Sequence, residues 1–255
     1  IFQGLEPGGT AIVPHDSPHR DRLRAAALPY AGRIWTFGRG EGADIRAREV
    51  MRGPKGTLVS AVLPDAELTF TIAPAGDHWV SNGLAVLAAV EPVGGDLAAA
   101  ALAAADMGGL AGRGRRIAAH LAGGEALVID EAYNANPTSM AATLKLLGEE
   151  QAERRIAVLG EMRELGERSS FYHAGLARPL MEAGVDYALL VGPEMAPLAN
   201  ELEGRVDFAH VADADAALDL LDAAIKPGDA VLIKGSNAIG LARLVEHYAR
   251  VAERA

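Results

Sequence analysis

Three short polar stretches hold most of the residues able to do chemistry. The first is Asp130-Glu131-Ala132-Tyr133-Asn134-Ala135-Asn136-Pro137, a carboxylate pair followed by a phenol and two amides. The second, Gly160-Glu161-Met162-Arg163-Glu164-Leu165-Gly166, alternates acidic and basic groups between glycines, and the third, Lys234-Gly235-Ser236-Asn237, joins an ammonium to a hydroxyl. Together they offer hydrogen-bond acceptors for hydroxyl groups and donors with a cation for a carboxylate.

Each stretch also has a plain structural reading. Asn136 before Pro137 fits a helix N-cap with proline at the first helical position. Asp130 and Glu131 fit a solvated strand end, and Lys234-Gly235-Ser236 fits a turn whose serine caps the last helix. Capping leaves Tyr133 and Asn134, beside a carboxylate pair on one short loop, unexplained.

Each stretch directly follows a short apolar run. Ala126–Ile129, Ile156–Leu159, Ala188–Val191, Val206–Val211 and Ala230–Ile233 read as buried strands. Between them, Met140, Leu144 and Leu147, then Leu176 and Leu180, then Leu218, Leu221 and Ile225 recur at helical spacing. Strands alternating with helices predict an α/β domain, a doubly wound, Rossmann-like and mostly parallel sheet. Ligands bind such sheets at the carboxyl ends of the strands, where the three stretches would share one rim.

The first part of the chain reads differently. The runs Gly32–Phe37, Ile45–Met51, Thr57–Leu63 and Glu67–Ile72 follow one another with few helices between them, which suggests an antiparallel appendage. Helical stretches at Asp77–Val90 and Asp96–Ala105 come next, and the glycine-rich segment Gly108–Gly114 predicts a linker. The expected division is 1–113 and 114–255.

Composition narrows the partners. Of 255 residues, half are apolar, enough to bury a sizeable core. The 34 acidic and 24 basic side chains give a formal charge of −10, which argues against a nucleic-acid partner. The absence of cysteine excludes a disulfide framework, a thiolate zinc site and a cysteine nucleophile, and it fits a cytoplasmic setting. Leu97–Ala105 is too short to span a bilayer, so no membrane insertion is expected.

The blocks Ile129-Asp130-Glu131-Ala132-Tyr133-Asn134-Ala135-Asn136-Pro137 and Val158-Leu159-Gly160-Glu161-Met162-Arg163-Glu164-Leu165-Gly166, then His173 and Ile233-Lys234-Gly235-Ser236, resemble in order and spacing the C-terminal domain of the Mur ligases, most closely the branch that adds D-alanyl-D-alanine. Ile1-Phe2-Gln3-Gly4-Leu5, Gly8-Gly9-Thr10, His78–Ala85 and Gly112-Arg113 extend the match upstream, into what would be the second half of an ATP-binding central domain.

The resemblance implies an amide ligase of peptidoglycan precursor synthesis, taking ATP, Mg²⁺, UDP-N-acetylmuramoyl-tripeptide and D-alanyl-D-alanine, working through an acyl phosphate, and expected to be monomeric. It places His78 and Asn82 near the adenine and Arg113 and Glu131 at the ribose. For the dipeptide it suggests Tyr133, Asn134, Asn136, Lys234 and Ser236. Glu161, Arg163, Glu164 and His173 receive no individual roles.

The chain departs from the family pattern at several points. Trp79 stands where asparagine is usual, Glu131-Ala132 where aspartate and serine are common, and Pro14-His15-Asp16-Ser17 replaces a more usual Asn-Ala-Asp-Asp, leaving Asp16 as a carboxylate or a helix cap with Pro18. No Gly-x-x-x-x-Gly-Lys-Ser/Thr loop occurs, and Gly38-Arg39-Gly40-Glu41-Gly42 lacks the lysine–hydroxyl pair. That loop and most magnesium ligands are therefore expected ahead of Ile1, no catalytic residue or metal ligand is assigned within the chain, and the chain alone is expected to be inactive. Three competing readings remain: a sister ligase adding another amino acid, a non-catalytic binding domain of the same fold, and a dinucleotide-dependent dehydrogenase. The dehydrogenase would need Gly-x-Gly-x-x-Gly where Glu131–Pro137 stands.

Overall fold

The computed structural model describes residues 1–53, 56–73, 76–106 and 111–252. The chain divides into two compact units, Ile1–Gly108 and Gly109–Ala255. The expected linker at Gly108–Gly114 lies partly outside the described residues. Its end is bonded into the second unit, where Gly114 N–H donates to the Asp130 carbonyl over 2.8 Å.

In the first unit, β1 (Thr10–Pro14), α1 (Arg20–Ala27), β2 (Arg33–Gly38), β3 (Ile45–Gly53), β4 (Gly56–Val62) and β5 (Glu67–Ile72) precede α2 (Asp77–Val90) and α3 (Leu97–Ala105). The strands form one sheet in the order β1-β2-β3-β4-β5. Only β3, β4 and β5 pair antiparallel. The expected antiparallel character of Gly32–Phe37 is corrected here, because β2 lies parallel to both β1 and β3. For the β1–β2 pair the physical reason is the helix α1, which returns the chain from the end of β1 to the start of β2 and so makes a parallel crossover; the β2–β3 pairing is confined to Phe37–Ile45 and Gly38–Arg46. Trp35, Ile45, Val59, Phe70 and Ile72 pack with Val80, Leu84 and Leu87 of α2. Trp79 belongs to the same core and is 7% exposed, so the indole that replaces the usual asparagine works as packing.

The second unit runs β6 (Arg115–Leu121), β7 (Gly124–Glu131), α4 (Pro137–Glu149), β8 (Arg154–Gly160), α5 (Ser169–Ala174), α6 (Ala177–Glu182), β9 (Tyr187–Val191), α7 (Ala196–Leu202), β10 (Asp207–Val211), α8 (Ala214–Ala224), β11 (Asp229–Lys234) and α9 (Ala242–Ala252). Its sheet has the order β10-β9-β8-β11-β7-β6. The inner pairs are parallel, and the edge strand β6 folds back antiparallel on β7.

Period-two alternation splits the strand side chains between two cores. Ala157, Leu159, Leu190 and Leu232 meet Met140, Leu144 and Leu147 of α4 and Leu180 of α6 on one face. Ile156, Val158, Val231 and Ile233 meet Leu221 of α8 and Leu244 of α9 on the other. Both faces are covered, as a parallel sheet requires. Among the described residues, no helix is long and apolar enough to cross a membrane.

Candidate functional site

β11 lies between β7 and β8, with Lys234 in register with both Glu131 and Leu159. This strand order brings the three polar stretches to one rim at the carboxyl ends of the strands. The main chains of two of them touch: a Cβ on Gly235 would lie 3.0 Å from the Gly160 Cα, so a side chain there would hold the loops apart.

The carboxylate pair separates into two roles. Asp130 is 3% exposed and points inward. Its Oδ2 accepts the Gly112 N–H at 2.6 Å, and its Oδ1 accepts the Ala132 N–H at 3.1 Å. It is therefore no solvated strand end; it anchors the Gly112-Arg113 segment beside β7. Gly112 adopts φ +76°, and an added Cβ would meet the Tyr133 Cβ at 2.6 Å, so glycine is required. The anchored segment places the Arg113 guanidinium over the Tyr133 ring, 4.5 Å from its centroid. Tyr133 is 51% exposed.

Glu131 faces the sheet's interior rim, with Oε2 3.5 Å from the Lys234 ammonium. Burial pushes its carboxyl above the ordinary range, and the neighbouring Lys234 and Arg113 charges oppose that rise only in part. Lys234 is 2% exposed, and burial holds its ammonium below the usual lysine value despite the Glu131 carboxylate. Its Nζ also donates to the Asn134 carbonyl over 2.9 Å. The side chain of Asn134 accepts from the Ala135 N–H at 2.8 Å. Asn136 begins α4 with a capping box, its Oδ1 accepting the Ser139 N–H at 2.9 Å while the Ser139 hydroxyl accepts the Asn136 N–H at 3.1 Å.

Ser236, 5% exposed, faces the second stretch rather than solvent. Its Oγ accepts the Arg163 N–H at 3.0 Å, and its own N–H donates to the Glu161 carbonyl at 3.0 Å. Glu161 is buried, and its carboxylate accepts the Glu194 N–H and lies 3.4 Å from the Arg163 guanidinium. Arg163 itself is 57% exposed. It is an exposed cation at the rim, as Arg113 is, and the residue pattern alone assigns it no role. The available signal was its place directly after a strand between two acidic residues.

In the first unit, His78 and Asn82 lie four residues apart on α2 and so share a face. Asn82 is exposed, and the His78 ring lies 5.6 Å from that of Trp79. Asp16 is not a helix cap: α1 starts at Arg20, and Asp16 accepts the Arg39 and Gly40 N–H groups at 2.7 and 3.0 Å. Those bonds close the glycine cluster around a carboxylate of the protein itself. Among the described residues, no three His, Asp or Glu side chains gather as a metal site.

Residues 1–90 match the Mur ligase middle domain, and residues 112–237 match the Mur ligase, glutamate ligase domain. The chain is 33% identical to the UDP-N-acetylmuramoyl-tripeptide–D-alanyl-D-alanine ligase of Mycobacterium bovis, over 96% of this chain and 51% of that protein. The ligase of the same name from Escherichia coli K12 is 29% identical over 96% of the chain and 53% of its own length. A crystal structure of MurF from Acinetobacter baumannii superposes with a TM-score of 0.81 at 28% identity, covering 98% of this chain and 53% of that one. The chain thus spans about half the length of the curated relatives it matches. Two consecutive domain matches and relatives aligned along nearly the whole chain establish that it belongs to the Mur ligase family.

Proposed function

We propose that this chain supplies nucleotide and amine contacts in an ATP-dependent ligase that joins D-alanyl-D-alanine to UDP-N-acetylmuramoyl-tripeptide in the cytoplasm. The observation that carries the reading is the shared rim of β7, β11 and β8, with an acceptor at Glu131 and an exposed cation at Arg163. The relatives named for this reaction support the choice of substrates.

In the proposed reaction the tripeptide carboxylate takes the γ-phosphoryl group of ATP and ADP leaves. The dipeptide amine then attacks the acyl carbon, phosphate departs, and the amine's proton passes to solvent or a base. Glu131 suits a sugar diol, since a carboxylate accepts from both hydroxyls, and Arg113 flanks it. His78 and Asn82 offer ring and amide groups to the base. Magnesium would neutralise phosphate charge, but the described residues form no cluster that fits it, so no step is assigned to them through the ion.

The dipeptide's carboxylate needs a cation, and Arg163 fits that need better than the buried Lys234. In this reading Lys234, Asn136 and Ser236 act as supports, and Tyr133 holds Arg113. The 255 residues alone are proposed to lack turnover, because no phosphate-binding loop of the Gly-Lys-Ser/Thr type occurs in them. Amino-substrate profiling of the full-length protein tests the function. Amide formation with D-alanyl-D-alanine in preference to D-alanine, D-glutamate or L-lysine is expected, and preference for a single amino acid would refute it.

A further inference from the structure

His173 is fully buried, carries no role in the reading above, and makes a directional pair of bonds. Its Nε2 lies 2.9 Å from the Met162 nitrogen and accepts that N–H. Its Nδ1 lies 2.9 Å from the Ser169 carbonyl oxygen, which can only accept, so Nδ1 carries the proton. The Ser169 hydroxyl in turn donates to Glu194 Oε2 over 2.7 Å, and the Glu194 N–H returns to Glu161.

These bonds converge on one short segment. The Glu161 carbonyl is held by the Ser236 N–H, the Met162 N–H by His173, and the Arg163 N–H by the Ser236 hydroxyl. Three successive main-chain groups are thus fixed from two sides, by the loop after β11 and by α5. Directly beyond them, Glu164 sits at φ +63°, the one positive-φ residue other than glycine among the described residues. Such a conformation is strained and persists where the surroundings over-determine it. Arg163 and Glu164 are both exposed at the rim.

We propose that His173 is a positioning residue for amino-substrate binding: through the Met162 N–H it fixes the main chain that presents Arg163 and Glu164. It touches no substrate. The proposal rests on the reading of Arg163 given above. Replacement by leucine removes the acceptor while keeping bulk, whereas glutamine can place its Oε1 where Nε2 lies and restore it.

The test measures KM for D-alanyl-D-alanine and for ATP in the full-length ligase with His173→Leu and His173→Gln. His173→Leu is expected to raise the dipeptide KM about tenfold, near 1.4 kcal/mol, with the ATP KM within about twofold, and His173→Gln to recover most of the loss. Equal changes in both KM values, an unchanged dipeptide KM, or failure of glutamine to rescue would overturn the proposal. Amide hydrogen exchange at Met162 provides a reading independent of substrate. About tenfold faster exchange in His173→Leu, with protection kept in His173→Gln, is expected. Unchanged exchange would defeat the positioning role itself. If the wild type ignored D-alanyl-D-alanine while the two variants showed this exchange pattern, only the substrate reading would be defeated.

Discussion

The Lys234 ammonium donates to the Asn134 carbonyl oxygen over 2.9 Å, tying the end of β11 to the loop after β7. The same ammonium faces Glu131 at 3.5 Å, so a charge that the sequence offers to a ligand is committed within the protein. Lys234→Met should leave the Glu131 carboxyl buried without its partner and the Asn134 carbonyl without its donor. The expected loss is about 3 kcal/mol in urea unfolding of the second unit. Adding Glu131→Gln should recover part of it, and a Lys234→Met variant as stable as the wild type would contradict the geometry.

The Glu131 carboxyl also makes stability depend on pH. Burial raises its folded-state pKa above the ordinary 4.5, so the folded protein binds this proton more tightly than the unfolded chain. The stabilising effect of that proton is complete below pH 4.5 and is lost as pH rises through the folded value. The stability of the wild type relative to Glu131→Gln should therefore fall with rising pH above 4.5. Parallel titrations of chemical denaturation would show it; a difference growing in the wild type's favour has the wrong sign.

Gly112 is held at φ +76° against Tyr133. Gly112→Ala should cost about 1–3 kcal/mol and displace Arg113 from the Tyr133 ring. Thermal unfolding, together with the loss of the Arg113–Tyr133 proximity in NMR, would check both effects.

Tyr133→Leu removes the stacking under the Arg113 guanidinium, a contact of about 0.5–1 kcal/mol at an exposed site. A rise of about two- to fivefold in the ATP KM of the full-length ligase is expected, with the dipeptide KM unchanged. A change confined to the dipeptide would return Tyr133 to the amino-substrate side.

Much of the second unit was legible because its inner strands are continuous apolar runs, as burial on both faces demands. The edge strand β6 escaped, since its buried Ile117 and Ala119 alternate with exposed Arg116 and Ala118 and give no such run. β1 escaped too, being five residues long and ending in Pro14, and with it went the parallel pairing of β2. At the rim, residue types and strand ends were readable, but side-chain direction was not. Nothing in the order Asp130-Glu131 says which carboxylate turns inward to hold Gly112. Similarly, Lys234 and Arg163 both read as cations at strand ends, but Lys234 closes β11 and is buried, whereas Arg163 lies in the loop beyond β8 and is exposed.

In the proposed site one rim is divided, with Glu131 serving the nucleotide and Arg163 the amine substrate. Steady-state kinetics of Glu131→Ala and Arg163→Ala in the full-length ligase, with ATP and D-alanyl-D-alanine varied in turn, test it most directly. Loss of a charge-assisted contact of about 1.5–3 kcal/mol should raise the affected KM roughly 10- to 150-fold. Glu131→Ala should raise the KM for ATP and Arg163→Ala the KM for the dipeptide, each leaving the other within about twofold. The reverse ranking, or equal effects of both substitutions on both substrates, would contradict it.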